Sequence, residues 1–538
     1  MMPTIYRWVM TLSLVWMAAA CKHTGQSQLS SDASLGSGQA SDTSPKLCAA
    51  IRGNGQLIWA HFGSLARILE TEGLVQGAAG GSSGSITTFL YESMLINPAL
   101  YESCKTATCS NQEVANRVAF LMKTLPYWIN SVTGSEEGQA LAHIITVAKA
   151  IKSYDIRQLD ATQEADIRAA LKGLVTLLSS SPARSLINKD FLAFAMPLDG
   201  DGLTMLKFRA GEAKKELLGF GKFEATSPDI LFRPGLLDFR GLVGLIGKMA
   251  DFYAGYAPAL HDDWSQVYAS CTDYSLQKSP WDIATSSCGE QFRGLMKKYT
   301  AQINSVQKHR VNDTVGSKIT AIVSTATLVK NQDVFEAARQ QYLAGKGAEL
   351  SLPLDSVKFG YASSKDVQSK LEAGMKTYPD ERSQRFLALG AMRWLDILSV
   401  SPAEPGLAEA LPFQDDRGQK YLSFGGWADL SPVMILQAAG CEKVIFVTRQ
   451  GADSNFAGGV ANLVGLGPVH EDLYSLANAN SSFASSLNRA DSIYCTNWDA
   501  YSGFSEADIQ QLFLHAYNEG KILSGTRTGA PVGCAVVP

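Results

Sequence analysis

Between Lys46 and Leu95 the chain alternates short apolar runs, glycine turns and helical periodicity in an order that leaves few folds open. Lys46-Leu47-Cys48-Ala49-Ala50-Ile51 reads as a buried strand that enters a glycine loop at Arg52-Gly53-Asn54-Gly55. From 57 to 72, Leu57, Trp59, Phe62, Leu65, Ile68 and Leu69 recur at helical spacing, so a helix with one buried face follows. Val75-Gln76-Gly77-Ala78-Ala79-Gly80-Gly81-Ser82-Ser83-Gly84 then runs into an apolar helix from Ile86 to Leu95. Strand, loop, helix, strand, sharp turn and helix in succession favour an α/β sheet. Strand character returns at Lys318–Val323 and Lys443–Thr448. The pattern from about 100 to 310 is mainly helical, as at Ala140–Ile151 and Thr162–Leu178, with Asp160 placed to cap the second.

A chain of 538 residues exceeds one minimal domain, so it holds two or three domains or one core with a large insertion. With 46% hydrophobic and 18% charged residues it is globular, neither disordered nor a multi-pass membrane protein. A net charge of -4 without any Lys/Arg-rich run gives no field for nucleic acid. At the N-terminus, Arg7, the apolar run Trp8–Met17 and Ala18-Ala19-Ala20 form a signal-peptide pattern, the run being too short to span a bilayer. Cys21 after those small residues resembles a bacterial lipobox with Ala18 where Leu is usual, and it would be lipidated; an ordinary signal peptide beside a chance cysteine is the alternative. The Ser-, Gly-, Asp- and Thr-rich stretch that follows suits a tether. Of nine cysteines, assigning Cys21 to the anchor leaves an even set, as expected of disulfides in an exported chain. Cys104 with Cys109 and Cys271 with Cys288 can close loops, while the pairing of Cys48, Cys441, Cys495 and Cys534 stays open. No Cys-x-x-Cys spacing supports a zinc or redox site.

Gly80-Gly81-Ser82-Ser83-Gly84 fits G-x-S-x-G between a strand and a helix, the setting of a nucleophile elbow. Acyl transfer also needs backbone N–H donors for the developing oxyanion, and Gly53-Asn54-Gly55 can supply them. A dinucleotide loop would need glycine where Ile58 stands, and the phosphate loop's Gly-Lys-Ser/Thr ending is missing. His61 reads as a packed or surface residue rather than a base. Asp199-Gly200-Asp201-Gly202 reads as a plain turn, because the remaining ligands of a calcium loop are missing.

Together these stretches resemble the patatin-like phospholipase family. Gly53 to Gly63 aligns with the opening G-G-G-x-R-G-x-x-x-x-G, and Gly80 to Gly84 with the G-x-S-x-G. Ser399 to Leu407 is similar to the A-S-x-A-x-P-G segment, and Phe424 to Val433 to D-G-G-x-x-D-N-x-P-V. The resemblance spans 47–95 and 317–450. It implies a three-layer α/β fold with a central, mostly parallel sheet and a large helical insertion. The expected organisation is a signal peptide at 1–20, lipidated cysteine and tether at 21–46, the first part of the patatin-like domain at 47–99, a helical insertion at 100–312, and the second part at 313–538. The implied activity is hydrolysis of membrane lipid esters without cofactor or metal, with Ser82 as nucleophile and Gly53, Asn54, Gly55 and Ser83 lining the oxyanion hole. The location would be the cell envelope, at the outer membrane or facing the periplasm, through Cys21.

Three departures from the family pattern matter. Leu57 replaces the loop's basic residue, for which Arg52 is the candidate substitute, and Ile58 replaces its last glycine. Phe424 stands where the family has the aspartate that serves as general base. Asp429 is the expected substitute base, with Asp415 and Asp416 as further candidates; the alternative roles are a helix cap for Asp429 and exposed hairpin charges for the other two. The competing function is a catalytically impaired protein that binds lipid or protein in the old acyl cleft, and a third is an adaptor built on residues 100–310.

Overall fold

The computed structural model describes residues 46–53, 55–102, 108–133, 235–237, 239–255, 260–271, 286–303, 314–316, 319–330, 357–377, 384–404, 406–408, 412–414, 419–426, 431–450, 471–473, 482–497 and 506–524, together with residues 104, 160–163, 165–166, 169 and 534. Its strands are β1 (Leu47–Ile51), β2 (Gly77–Gly81), β3 (Gly235–Leu237), β4 (Thr320–Lys330), β5 (Lys358–Ser363), β6 (Phe386–Gly390), β7 (Gly406–Ala408), β8 (Pro412–Gln414), β9 (Lys420–Ser423), β10 (Lys443–Gln450), β11 (Ser492–Asn497) and β12 (Lys521–Ser524). The main sheet runs β12-β11-β10-β1-β2-β4-β5-β6, with β9 branching off β4 and β8 off β9. From β11 through β10, β1 and β2 to β4 all pairs are parallel, as is β5 with β6. The pairs β11–β12, β4–β5, β4–β9 and β8–β9 are antiparallel. A separate parallel pair joins β3 to β7. The chain is thus mixed α/β with a mostly parallel central sheet, as the strand and helix alternation requires.

β1 and β2 are buried at every position. Strands covered on both faces read as continuous apolar or small-residue runs rather than alternating ones, which accounts for Leu-Cys-Ala-Ala-Ile and Gly-Ala-Ala-Gly-Gly. The helices are α1 (Ile58–Glu72), α2 (Ser83–Ile96), α3 (Asn111–Thr133), α4 (Phe239–Tyr253), α5 (His261–Ser270), α6 (Ser287–Ile303), α7 (Gln368–Met375), α8 (Trp394–Val400), α9 (Val433–Ala438), α10 (Ser482–Arg489) and α11 (Glu506–Glu519). α1 packs against α3 and α11, α2 against β2 and α4, and α9 against β1, β2, β10 and α7.

The described helices between 100 and 312 share the core of the sheet rather than standing apart from it, because Phe120, Trp128, Phe252, Trp264 and Phe292 lie in one buried cluster with Ala49, Ile51 and Ala78. Phe252 is the hub, its ring centre 5.0 Å from Trp264, 5.2 Å from Trp128 and 5.6 Å from Phe292. Asp160 makes the expected cap: its carboxylate accepts from the amides of Thr162 at 2.9 Å and Gln163 at 2.8 Å, and Gln163 Oε1 accepts from the Asp160 amide. Ala140–Ile151, most of Thr162–Leu178 and the Asp199–Gly202 turn lie outside the described residues, as does Cys21.

Four disulfides form. Cys104–Cys109 and Cys271–Cys288 are the pairs that loop closure predicts. Cys48–Cys441 and Cys495–Cys534 complete the set, and the first ties β1 to the turn before β10 across 393 residues. These bonds fit an oxidising, exported environment. No helix among the described residues is long and apolar enough to cross a membrane.

Candidate functional site

β2 ends at Gly81 and α2 begins at Ser83, so Ser82 alone makes the turn between them. Its φ of 51° and ψ of -124° make it the one non-glycine residue with positive φ among the described residues. Such a conformation costs on the order of 1–3 kcal/mol and persists only where the surroundings enforce it. The flanking glycines show the enforcement. A Cβ on Gly80 would sit 2.9 Å from the Gly84 Cα, and one on Gly84 would sit 2.7 Å from the Ile51 carbonyl oxygen. Ser85 fastens the turn from within the helix, donating to the Ser82 carbonyl from its amide at 3.0 Å and from its hydroxyl at 2.6 Å.

Two distant segments close on this turn. Ser401, just beyond α8, accepts the Ser82 amide hydrogen on its hydroxyl oxygen at 2.9 Å. Three residues later Glu404 brings a carboxylate oxygen to 3.5 Å from the Ser82 hydroxyl. The Glu404 backbone is held at both ends, its amide donating to the Pro402 carbonyl at 2.8 Å and its carbonyl accepting from Ala408 at 3.0 Å. The second segment follows β9. Ser423 donates its hydroxyl to the Val400 carbonyl at 3.0 Å, which locks β9 to the end of α8. Gly425, at φ 86°, passes so close to Ala403 that a Cβ would meet its carbonyl oxygen at 2.9 Å. A Cβ on Gly426 would lie 3.0 Å from the Ser82 Cα and collide with its nitrogen. The three sequence segments centred on Ser82, Ser401 and Gly425 therefore meet in space. Phe424 lies between the last two glycine contacts and β9, at 1% exposure.

The glycine loop leaves the same sheet edge, since β1 and β2 are adjacent and parallel with Ile51 opposite Gly80. Gly53 is buried, Gly55 opens a short 3-10 turn through Leu57 at φ 54°, and Asn54 lies outside the described residues. Leu57 is in the core at 2% exposure. Arg52 is buried and bound to β10, its amide donating to the Val447 carbonyl at 3.2 Å and its guanidinium reaching the Thr448 hydroxyl at 3.5 Å. Ser83 starts α2, so the positive end of that helix dipole faces the turn.

His61 is fully buried and hydrogen-bonded through Nδ1 to the Thr87 hydroxyl at 2.9 Å. Burial pulls its pKa down to about 3, against a smaller opposing effect from a hydrogen bond with the Arg52 backbone. Thr87 in turn donates to the Ser83 carbonyl at 3.2 Å. His61 is a neutral packing residue that braces the first turn of α2. Asp429, Asp415 and Asp416 lie outside the described residues.

Glu404 is the residue that sequence reasoning passed over. It occupies a variable position of the 399–407 segment, so no motif marks it, and its 322-residue separation from Ser82 hides the contact. Chemically, the cluster offers a buried hydroxyl on a strained turn, a carboxylate beside it and a helix N-terminus behind it. No protein-family model matches the chain, and neither a curated protein nor a solved structure matches it.

Proposed function

We propose that this chain is a serine-dependent hydrolase of lipid acyl esters, built on a three-layer patatin-like fold. The observation that carries the reading is the backbone of Ser82, held at φ 51° between a parallel strand and a helix by glycines that no other residue can replace. Strain of this kind is retained where it presents a side chain, and here it presents a hydroxyl. In the proposed reaction the Ser82 Oγ attacks the ester carbonyl carbon. Backbone donors at Ser83 and along Gly53–Gly55 hold the oxyanion, and water later releases the fatty acid from the acyl-serine. The substrate would be a membrane lipid of the cell envelope, reached through an anchor at Cys21.

A second reading rests on Phe424, a buried phenyl ring where the family resemblance places an aspartate. On that reading the protein binds lipid or a partner protein without turning it over. Reaction of the full chain with a fluorophosphonate probe separates the two. We expect covalent labelling that is lost in Ser82→Ala, together with fatty acid release from phospholipid vesicles. Folded protein that neither labels nor releases fatty acid would overturn the hydrolase reading and leave the binding role as the one to test.

A further inference from the structure

We propose that Glu404 is the general base for Ser82, so that a Ser–Glu dyad replaces the Ser–Asp dyad in which Phe424 cannot serve. This inference rests on Ser82 being the nucleophile. Among the described residues, Glu404 is the carboxylate in hydrogen-bonding range of the Ser82 hydroxyl, at 3.5 Å. Catalytic hydrogen bonds are often long without substrate and shorten in the reacting complex, so the separation is that of a resting pair.

The position of Glu404 is set by the same contacts that set Ser82. Ser401, three residues before it, takes the Ser82 amide hydrogen; Gly425 presses on Ala403; and Gly426 presses on Ser82 itself. Nucleophile and carboxylate are therefore fixed to each other through the loop backbones rather than through flexible side chains alone. Glu404 is half-buried, and its longer side chain lets a residue on the 401–404 loop reach the serine.

The proton balance closes with these two residues and water. As the Ser82 Oγ bonds to the carbonyl carbon, its proton passes to Glu404. Glu404 returns that proton to the departing alcohol oxygen when the tetrahedral intermediate collapses. A water molecule then gives a proton to Glu404 as its oxygen attacks the acyl-serine, and Glu404 hands the proton back to Ser82 Oγ as the fatty acid leaves.

The test measures hydrolysis of a p-nitrophenyl ester and the rate of fluorophosphonate labelling across pH, in the full chain and in Ser82→Ala, Glu404→Gln and Glu404→Asp. We expect Glu404→Gln to lower kcat by about 10²- to 10⁴-fold and to lose the acidic limb of the pH profile, whose midpoint reports the base. Glu404→Asp should retain that limb at an intermediate rate. If Ser82→Ala is inactive while Glu404→Gln keeps the wild-type rate and profile, the dyad is wrong and the serine assignment stands. If the wild-type protein neither labels nor hydrolyses, both fall. Should Glu404→Gln lose its near-UV circular dichroism, Glu404→Asp decides: a reduced kcat supports the dyad and an unchanged one overturns it.

Discussion

Ser82 and His61 illustrate two opposite ways in which a buried polar residue is kept. Ser82 can hold an unfavourable backbone region because Gly80, Gly84 and Gly426 lack the side chains that would collide with the tightly packed turn. His61 sits in a relaxed helix but in an apolar setting that its charged form cannot share, and its pKa falls to about 3. The sign of the consequence is fixed. With a native pKa below the unfolded value near 6.5, the unfolded chain binds more protons throughout the interval between them. The neutral ring's contribution is fully present above pH 6.5 and is lost as pH falls toward 3, at a slope of up to about 1.4 kcal/mol per pH unit. We expect His61→Asn to be less stable than wild type at pH 7 and to show a shallower loss of melting temperature between pH 6.5 and pH 4. Parallel curves for the two proteins would mean that His61 is not neutral in the fold.

At the level of elements, the site depends on α2 and α8 keeping a fixed relation, since α2 begins after Ser82 and α8 leads into Ser401 and Glu404. One buried node joins them. Glu92 on α2 accepts from the Trp394 indole N–H at 2.9 Å and from the Gly316 amide at 3.1 Å on the same oxygen. The Trp394 ring also packs 5.2 Å from Phe89, one turn earlier on α2. Trp394→Phe keeps most of the aromatic packing and removes the donor, so it should destabilise the protein by about 1–3 kcal/mol. A urea denaturation series reads that cost. Because α8 leads directly into both partners of Ser82, the same variant should label more slowly with the fluorophosphonate probe while remaining folded.

At the scale of the molecule, the sheet places the first strand of the described chain inside it, with β1 between β2 and the much later β10. Cys48–Cys441 fastens that junction across 393 residues. In the chain-entropy account a cross-link that closes so long a loop contributes about 6 kcal/mol, above the usual measured range, and a bridge across a few residues contributes less. Calorimetry of Cys48→Ala with Cys441→Ala should show a larger fall in melting temperature than Cys104→Ala with Cys109→Ala. Equal losses would show that the long-range bridge closes a junction already secured by β1–β10 pairing.

Local signals in the sequence determined the elements that bury themselves by their own composition. The strand expected over 46–51 forms at 47–51, the helix over 57–72 at 58–72, and the strand over 443–448 at 443–450. Glycines at 80 and 84 around a serine foretold a sharp turn because their requirement is steric and local. β4 was legible only at its start, for the residues after Val323 are held as strand by antiparallel partners, β5 and β9, that lie further along the chain. The links Cys48–Cys441 and Ser82–Glu404 were decided by tertiary structure alone. Each joins residues hundreds of positions apart, and no periodicity or spacing encodes which loop backbones will press together once a sheet has closed around them.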